Sequence, residues 1–76
     1  MYKDLVTYIV KALVDYPDEV NVREVAGESS IVLELTVAEE DAGRVIGRSG
    51  RVINSIRTIV QSLAAKDGKR VSLEVL

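Results

Sequence analysis

Residues 44–53, Arg-Val-Ile-Gly-Arg-Ser-Gly-Arg-Val-Ile, set the terms on which the rest of this chain can fold. Gly47 and Gly50 enclose an arginine and a serine, and an apolar pair stands on each side, Val45-Ile46 and Val52-Ile53. Glycines so spaced make a short turn with no side chain at either end, so a ligand can approach the backbone closely. If a helix begins at Gly50, its unpaired N–H groups and the positive end of its dipole face that turn. Such a site suits an anion, and the nearby Arg44, Arg48 and Arg51 suit a phosphate. The turn therefore reads as a grip on a nucleic-acid backbone.

The net charge of −2 argues superficially against such a ligand. Its distribution argues the other way. Residues 1–43 carry Lys3, Lys11 and Arg23 against ten acids, whereas residues 44–76 carry five arginines and two lysines against Asp67 and Glu74. Local fields decide where a polyanion lands, and the basic half begins at the glycine turn. Two solvated faces of opposite sign would give the same asymmetry, so the motif has to carry the argument.

Seventy-six residues allow one domain, and a 47% hydrophobic composition allows a core of modest size. Cores this small supply about 3–5 kcal/mol, which makes self-association or a protein partner a reasonable expectation. The absence of cysteine excludes disulfides and thiolate metal sites, and the absence of histidine removes the commonest general base and metal ligand. No metal, cofactor or catalytic site is expected. No leader-like segment is visible, and no apolar run reaches the ~18 residues of a membrane span, so a cytoplasmic location is the default.

The periodicity predicts a helix over residues 2–16, with Tyr2, Leu5, Val6, Ile9, Ala12, Leu13 and Tyr16 as its apolar stripe and Pro17 as its stop. Tyr8 and Val14 lie at the margins. A strand over 19–26 places Val20 and Val22 on one face, while Val25 breaks the alternation and marks an edge or a bulge. Gly27-Glu28-Ser29 turns the chain into a clear strand over 30–37 with Ile31, Leu33, Leu35 and Val37 inward, completing an antiparallel hairpin. Acids at the start of 39–46 mark a short helix, with Thr36 and Glu39 offering a capping box if Thr36 has left the strand. Val52, Ile53, Ile56, Ile59, Val60 and Leu63 mark a helix over about 50–66, closed by Lys66 and Gly68. Val71, Leu73 and Val75 alternate in a last strand. A strand–helix–helix–strand connection makes its flanking strands parallel. The expected fold is α+β: a three-stranded mixed sheet, strand 30–37 central, with three helices packed on one face.

Ile46-Gly47-Arg48-Ser49-Gly50-Arg51-Val52-Ile53 matches the I-G-x-x-G-x-x-I signature of KH domains at every fixed position. The element order, α-β-β-α-α-β, resembles the bacterial type II KH fold over the whole chain, as a single KH domain spanning 1–76. A lone domain of this kind resembles the small bacterial KhpA (YlqC) family of RNA-binding proteins. The resemblance implies that about four single-stranded nucleotides are held, the turn clamped on the sugar-phosphate backbone. On this chain Gly47 and Gly50 would allow close approach, Arg48 and the amides of 48–51 would meet phosphate, and Arg44, Arg51 and Arg57 would extend the basic lip. Bases would lie in a groove between the two helices and a neighbouring strand, beside Gly43, with Ile46, Ile53 and Asn54 lining it. Many such loops carry lysine where this one has Arg48-Ser49. The resemblance also implies an RNA chaperone or post-transcriptional regulator that pairs with itself or with a second KH-containing protein of the KhpB (Jag) type.

Each assignment has a structural competitor. Ser49 fits an N-cap as well as a phosphate ligand. Ile46 and Ile53 fit the core first and the groove second, and Arg57 fits a solvated helix face. Lys66, Lys69 and Arg70 are assigned to a loop rather than to the ligand. The glycines do not spell G-x-G-x-x-G, no P-loop lysine is present, and Gly43-x-x-x-Gly47 sits among charges, unlike a membrane dimer motif. Two alternatives remain beside RNA: a KH-fold module whose apolar surface binds a protein, and a binder of single-stranded DNA.

Overall fold

The structure, a computed structural model, describes residues 1–76. Helix α1 (Tyr2–Leu13) leads into β1 (Asn21–Ala26) and β2 (Ser30–Thr36), then α2 (Ala42–Ile46), α3 (Arg51–Lys66) and β3 (Arg70–Val75). The sheet order is β1-β2-β3, with β1 antiparallel and β3 parallel to the central β2. The mixed sheet and its central strand are as the periodicity predicts. Inward residues Val22, Ile31, Leu33, Leu35, Val71 and Leu73 join Val6, Val10, Val45, Ile53, Ile56 and Val60 of the helices in one core. The opposite face of the sheet is mostly polar, and there Arg23 and Glu34, paired across β1 and β2, lie 3.5 Å apart.

Helix α1 ends earlier than residue 16. Val14 is already extended (ψ 162°), and the N–H groups of Asp15 and Tyr16 donate to the Asp41 carboxylate, each at 3.0 Å. Those bonds replace the helical ones that a longer α1 would have needed. The buried line is also rotated from the expected stripe. It runs Tyr2–Val6–Val10 along one i, i+4 row, with Leu5, Ile9 and Leu13 half-buried on its flank, whereas Ala12 and Tyr16 are exposed. Tyr2 also donates its hydroxyl to Asp67, tying the start of α1 to the end of α3.

The hairpin needs no bulge. Pairing runs unbroken from Asn21↔Thr36 to Ala26↔Ile31, so Val25 simply faces the open side of an edge strand, opposite Val32. Thr36 remains in β2 and makes no cap; a 3-10 turn over Glu39–Asp41 introduces α2 instead. At its other end α3 closes as expected. Gly68 takes φ 72°, and the N–H groups of Gly68 and Lys69 return to the carbonyls of Ala65 (3.0 Å) and Ala64 (2.9 Å).

Candidate nucleic-acid interface

Helix α2 is barely more than one turn long, and Gly47 closes it by donating its N–H to the Gly43 carbonyl at 2.9 Å. The chain then passes through three positive-φ residues in four: Gly47 (77°), Ser49 (56°) and Gly50 (77°). Gly50 donates back to the Gly47 carbonyl at 3.2 Å, and α3 starts at Arg51. The bareness of Gly47 is used inward as well as outward. A Cβ there would lie 2.6 Å from Val52 Cγ2 and 2.9 Å from the Val52 nitrogen, so glycine is what lets the first turn of α3 pack under the loop. Ser49 holds a left-handed conformation that costs a residue with a side chain about 1 kcal/mol or more. It makes no capping hydrogen bond, and the N-cap position of α3 belongs to Gly50.

This geometry turns Arg48 and Ser49 outward at the tip, with Gly47 and Gly50 half-buried beneath them. Arg48 and Arg51 are exposed and have no carboxylate within 4 Å. Arg44, also exposed, lies 3.8 Å from Asp15, a loose surface pair that salt and a phosphate can both displace. Gly43 has open space where a side chain would stand. Ile53 is buried in the core, whereas Ile46 is a surface residue beside the loop, so the two flanking isoleucines differ in role.

Arg57 is not a freely solvated residue. Its Nε donates to the Leu73 carbonyl at 3.0 Å and its Nη1 to Asn54 Oδ1 at 2.9 Å. A guanidinium has no acceptor, so the amide oxygen of Asn54 must face it and the NH2 group turns away. That nitrogen sits 3.3 Å from where a Gly50 Cβ would be. Asn54 is thus held as a donor beside the loop. Arg57 also ties α3 to the outer edge of β3 along the seam between them. This edge, and Gln61 farther along it, carried no sequence signal: the alternation of β3 tells which side chains point inward but not which carbonyls α3 will meet.

A helix–glycine turn–helix set between two parallel neighbours of a three-stranded sheet, with the leading helix and β1 added ahead of it, defines an α+β domain of the type II KH class. The family model for "KhpA/KhpB, KH domain" matches residues 3–75. The chain belongs to that family. It is 54% identical over 74 residues to "RNA-binding protein KhpA" of Clostridium acetobutylicum, covering 97% of this chain and 99% of that one. A protein of the same name from Chlamydia trachomatis is 50% identical, with 97% and 95% covered. Among solved structures, a variant of Aquifex aeolicus Era bound to GDP and aluminium fluoride superposes with a TM-score of 0.70 at 20% identity. The match takes in 97% of this chain but 29% of Era, so the likeness is one of fold. A second Era structure, solved with nucleotides 1506–1542 of 16S ribosomal RNA, gives a TM-score of 0.67 at 21% identity, with 97% and 28% covered.

Proposed function

We propose that this protein binds single-stranded RNA, seating the sugar-phosphate backbone on the Gly47-Arg48-Ser49-Gly50 turn and the bases along the seam beside it. The observation that carries the reading is the exposed loop with three positive-φ residues at the head of α3, flanked by the unpaired Arg48 and Arg51. A right-handed residue followed by a left-handed one, as Arg48 is by Ser49, turns successive backbone N–H groups to one side, and two free guanidinium groups supply the charge that a phosphate needs. The RNA-binding name shared by relatives about half identical over nearly the whole chain supports the same ligand. In this reading Arg48 and Ser49 touch phosphate and Arg44, Arg51 and Arg57 form the lip. Gly43, Ile46 and Asn54 face the bases, and Ile53 supports the groove from below.

The protein acts as one binding module over residues 1–76, non-enzymatic and cytoplasmic, in RNA chaperoning or post-transcriptional regulation. A few phosphate contacts give a salt slope of about −2 to −3 on a single strand, so affinity is modest. Pairing with a second copy, or with another KH protein of the KhpB type, raises it through avidity. Exposed Ile59 and Leu63, one turn apart on α3, support such pairing.

Replacing Arg48 and Ser49 together with aspartate tests the assignment. RNA binding measured by fluorescence anisotropy falls more than tenfold while the circular dichroism spectrum and the oligomeric state stay the same. Unchanged binding would refute the site. Competition between RNA and DNA oligonucleotides of matched sequence separates the ribose reading from a general single-strand clamp.

A further inference from the structure

Leu73, Arg57 and Asn54 form a relay that ends at the glycine turn. The Arg57 Nε donates to the Leu73 carbonyl, a backbone group of the edge strand β3, and this anchor fixes the guanidinium plane. The Nη1 donates to Asn54 Oδ1 and so fixes the amide in turn. Only the oxygen of that amide can receive an N–H, which commits the NH2 group to the other side, 3.3 Å from where a Cβ on Gly50 would stand. An exposed asparagine without such a partner can turn either end of its amide to a ligand. Here only one end is available.

The relay gives this junction a one-sided hydrogen-bonding character. Its two acceptors, Asn54 Oδ1 and the Leu73 carbonyl, each already receive an N–H from Arg57. Arg57 has no carboxylate within 4 Å, and three of its five N–H groups are without a partner. Together with the Asn54 NH2 group they make a set of neighbouring donors. The junction offers donors and withholds acceptors.

A base laid against two neighbouring donors binds best through two neighbouring acceptors. Cytosine has such a pair in O2 and N3 of its Watson–Crick edge, and guanine in N7 and O6 of its Hoogsteen edge. Adenine and uracil have none on either edge, because the N6 amino group of the one and the N3–H of the other stand beside each acceptor. Those hydrogens would meet a second donor at Arg57 and Asn54. We propose that Asn54 is a specificity-determining residue, held in register by Arg57 as its positioning residue, and that the pair selects a base with two adjacent acceptors, cytosine or guanine, over adenine and uracil. The inference rests on the turn being an RNA grip, and it names the kind of base that the groove takes beside that grip.

Fluorescence anisotropy with labelled RNA hexamers provides the test: oligocytidylate, oligoadenylate, oligouridylate and alternating uridine–guanosine. The wild-type chain binds oligocytidylate or the alternating hexamer about tenfold more tightly than oligouridylate and oligoadenylate, and which of the two leads tells cytosine from guanine. Asn54→Asp replaces the NH2 group with an oxygen, and Arg57→Lys keeps the charge but cannot bridge Leu73 and Asn54. Each variant, folded by circular dichroism, brings the affinities for the whole set within about threefold of one another. The ratio is the readout, because a general loss of charge or packing lowers every affinity alike. Equal wild-type affinities across the set, or a lead for adenylate or uridylate, would overturn the selectivity and leave the grip of the turn standing. A preference that persists in full in either variant would do the same. Failure of the wild-type chain to bind any of the hexamers would overturn the RNA reading itself, and this inference with it.

Discussion

Gly47 carries two demands at one atom. Its φ of 77° and ψ of 172° lie in a region open essentially to glycine alone, and the volume a Cβ would fill belongs to Val52. Gly68 has a similar φ but open space around it. Comparing the two separates backbone strain from steric conflict. Gly68→Ala should cost about 1 kcal/mol, from the left-handed conformation alone. Gly47→Ala should cost about 3 kcal/mol or more, because Val52 cannot retreat without lifting the first turn of α3. Urea unfolding of the two variants measures the difference; equal costs would mean that the loop relaxes around the added methyl group. The spacing of the glycines was legible in the chain, and so was the cationic character of the turn. That one glycine is bare for the sake of its own helix was not, because Val52 reads in sequence as one more apolar residue of a stripe.

At the scale of elements, Asp41 joins parts that stand far apart in the chain. Its place among the acids of 39–41 suits a helix start, yet it is buried, with each carboxylate oxygen accepting an N–H from the chain just after α1. The residue that ends α1 early is the same one that anchors α2, the arm carrying the glycine turn. Asp41→Ala leaves two donors without their acceptor and should destabilise the fold by about 2–3 kcal/mol. Asp41→Asn keeps one acceptor and sets an NH2 group against the other N–H, so it should recover only part of that loss. Thermal or urea unfolding checks both, and a change within 0.5 kcal/mol for the alanine variant would show that water replaces the carboxylate at this point. No one-dimensional signal marks this role, since the two donors stand 25 and 26 residues away in the chain.

For the molecule as a whole, surface area speaks to self-association. The 8.3 kDa chain exposes 5090 Å², somewhat above the ~4,600 Å² expected of a monomer of that mass. Its elongated shape, 35 × 23 × 18 Å, accounts for part of the excess. Apolar side chains account for another part: Ile59 is 49% and Leu63 40% exposed, though both belong to the stripe that periodicity assigned to the core. The buried row of α3 is instead Ile53, Ile56, Val60 and Ala64. Covering Ile59 and Leu63 against a second copy would bury them as the stripe anticipates. Sedimentation at high micromolar concentration should therefore show the wild-type chain as a dimer and Ile59→Glu/Leu63→Glu as a folded monomer. A wild-type monomer under those conditions would leave the two residues as ordinary surface.

Local regularities account for what is readable in the chain alone. A period of 2 or 3.6 needs only neighbouring residues to be felt, and so do a glycine that must take positive φ and a proline that cannot continue a helix. The order of elements, the parallel crossover and the arginine-edged turn all follow from such rules. Burial on a helix more than 100° wide in apolar residues does not, because several rows compete and the crossing of the helix over the sheet selects one of them. Nor does the pairing of a carboxylate with distant N–H groups, or the opening of one strand edge to a line of donors. Those are contacts between segments far apart in the chain, and they come into being when the sheet and helices pack together.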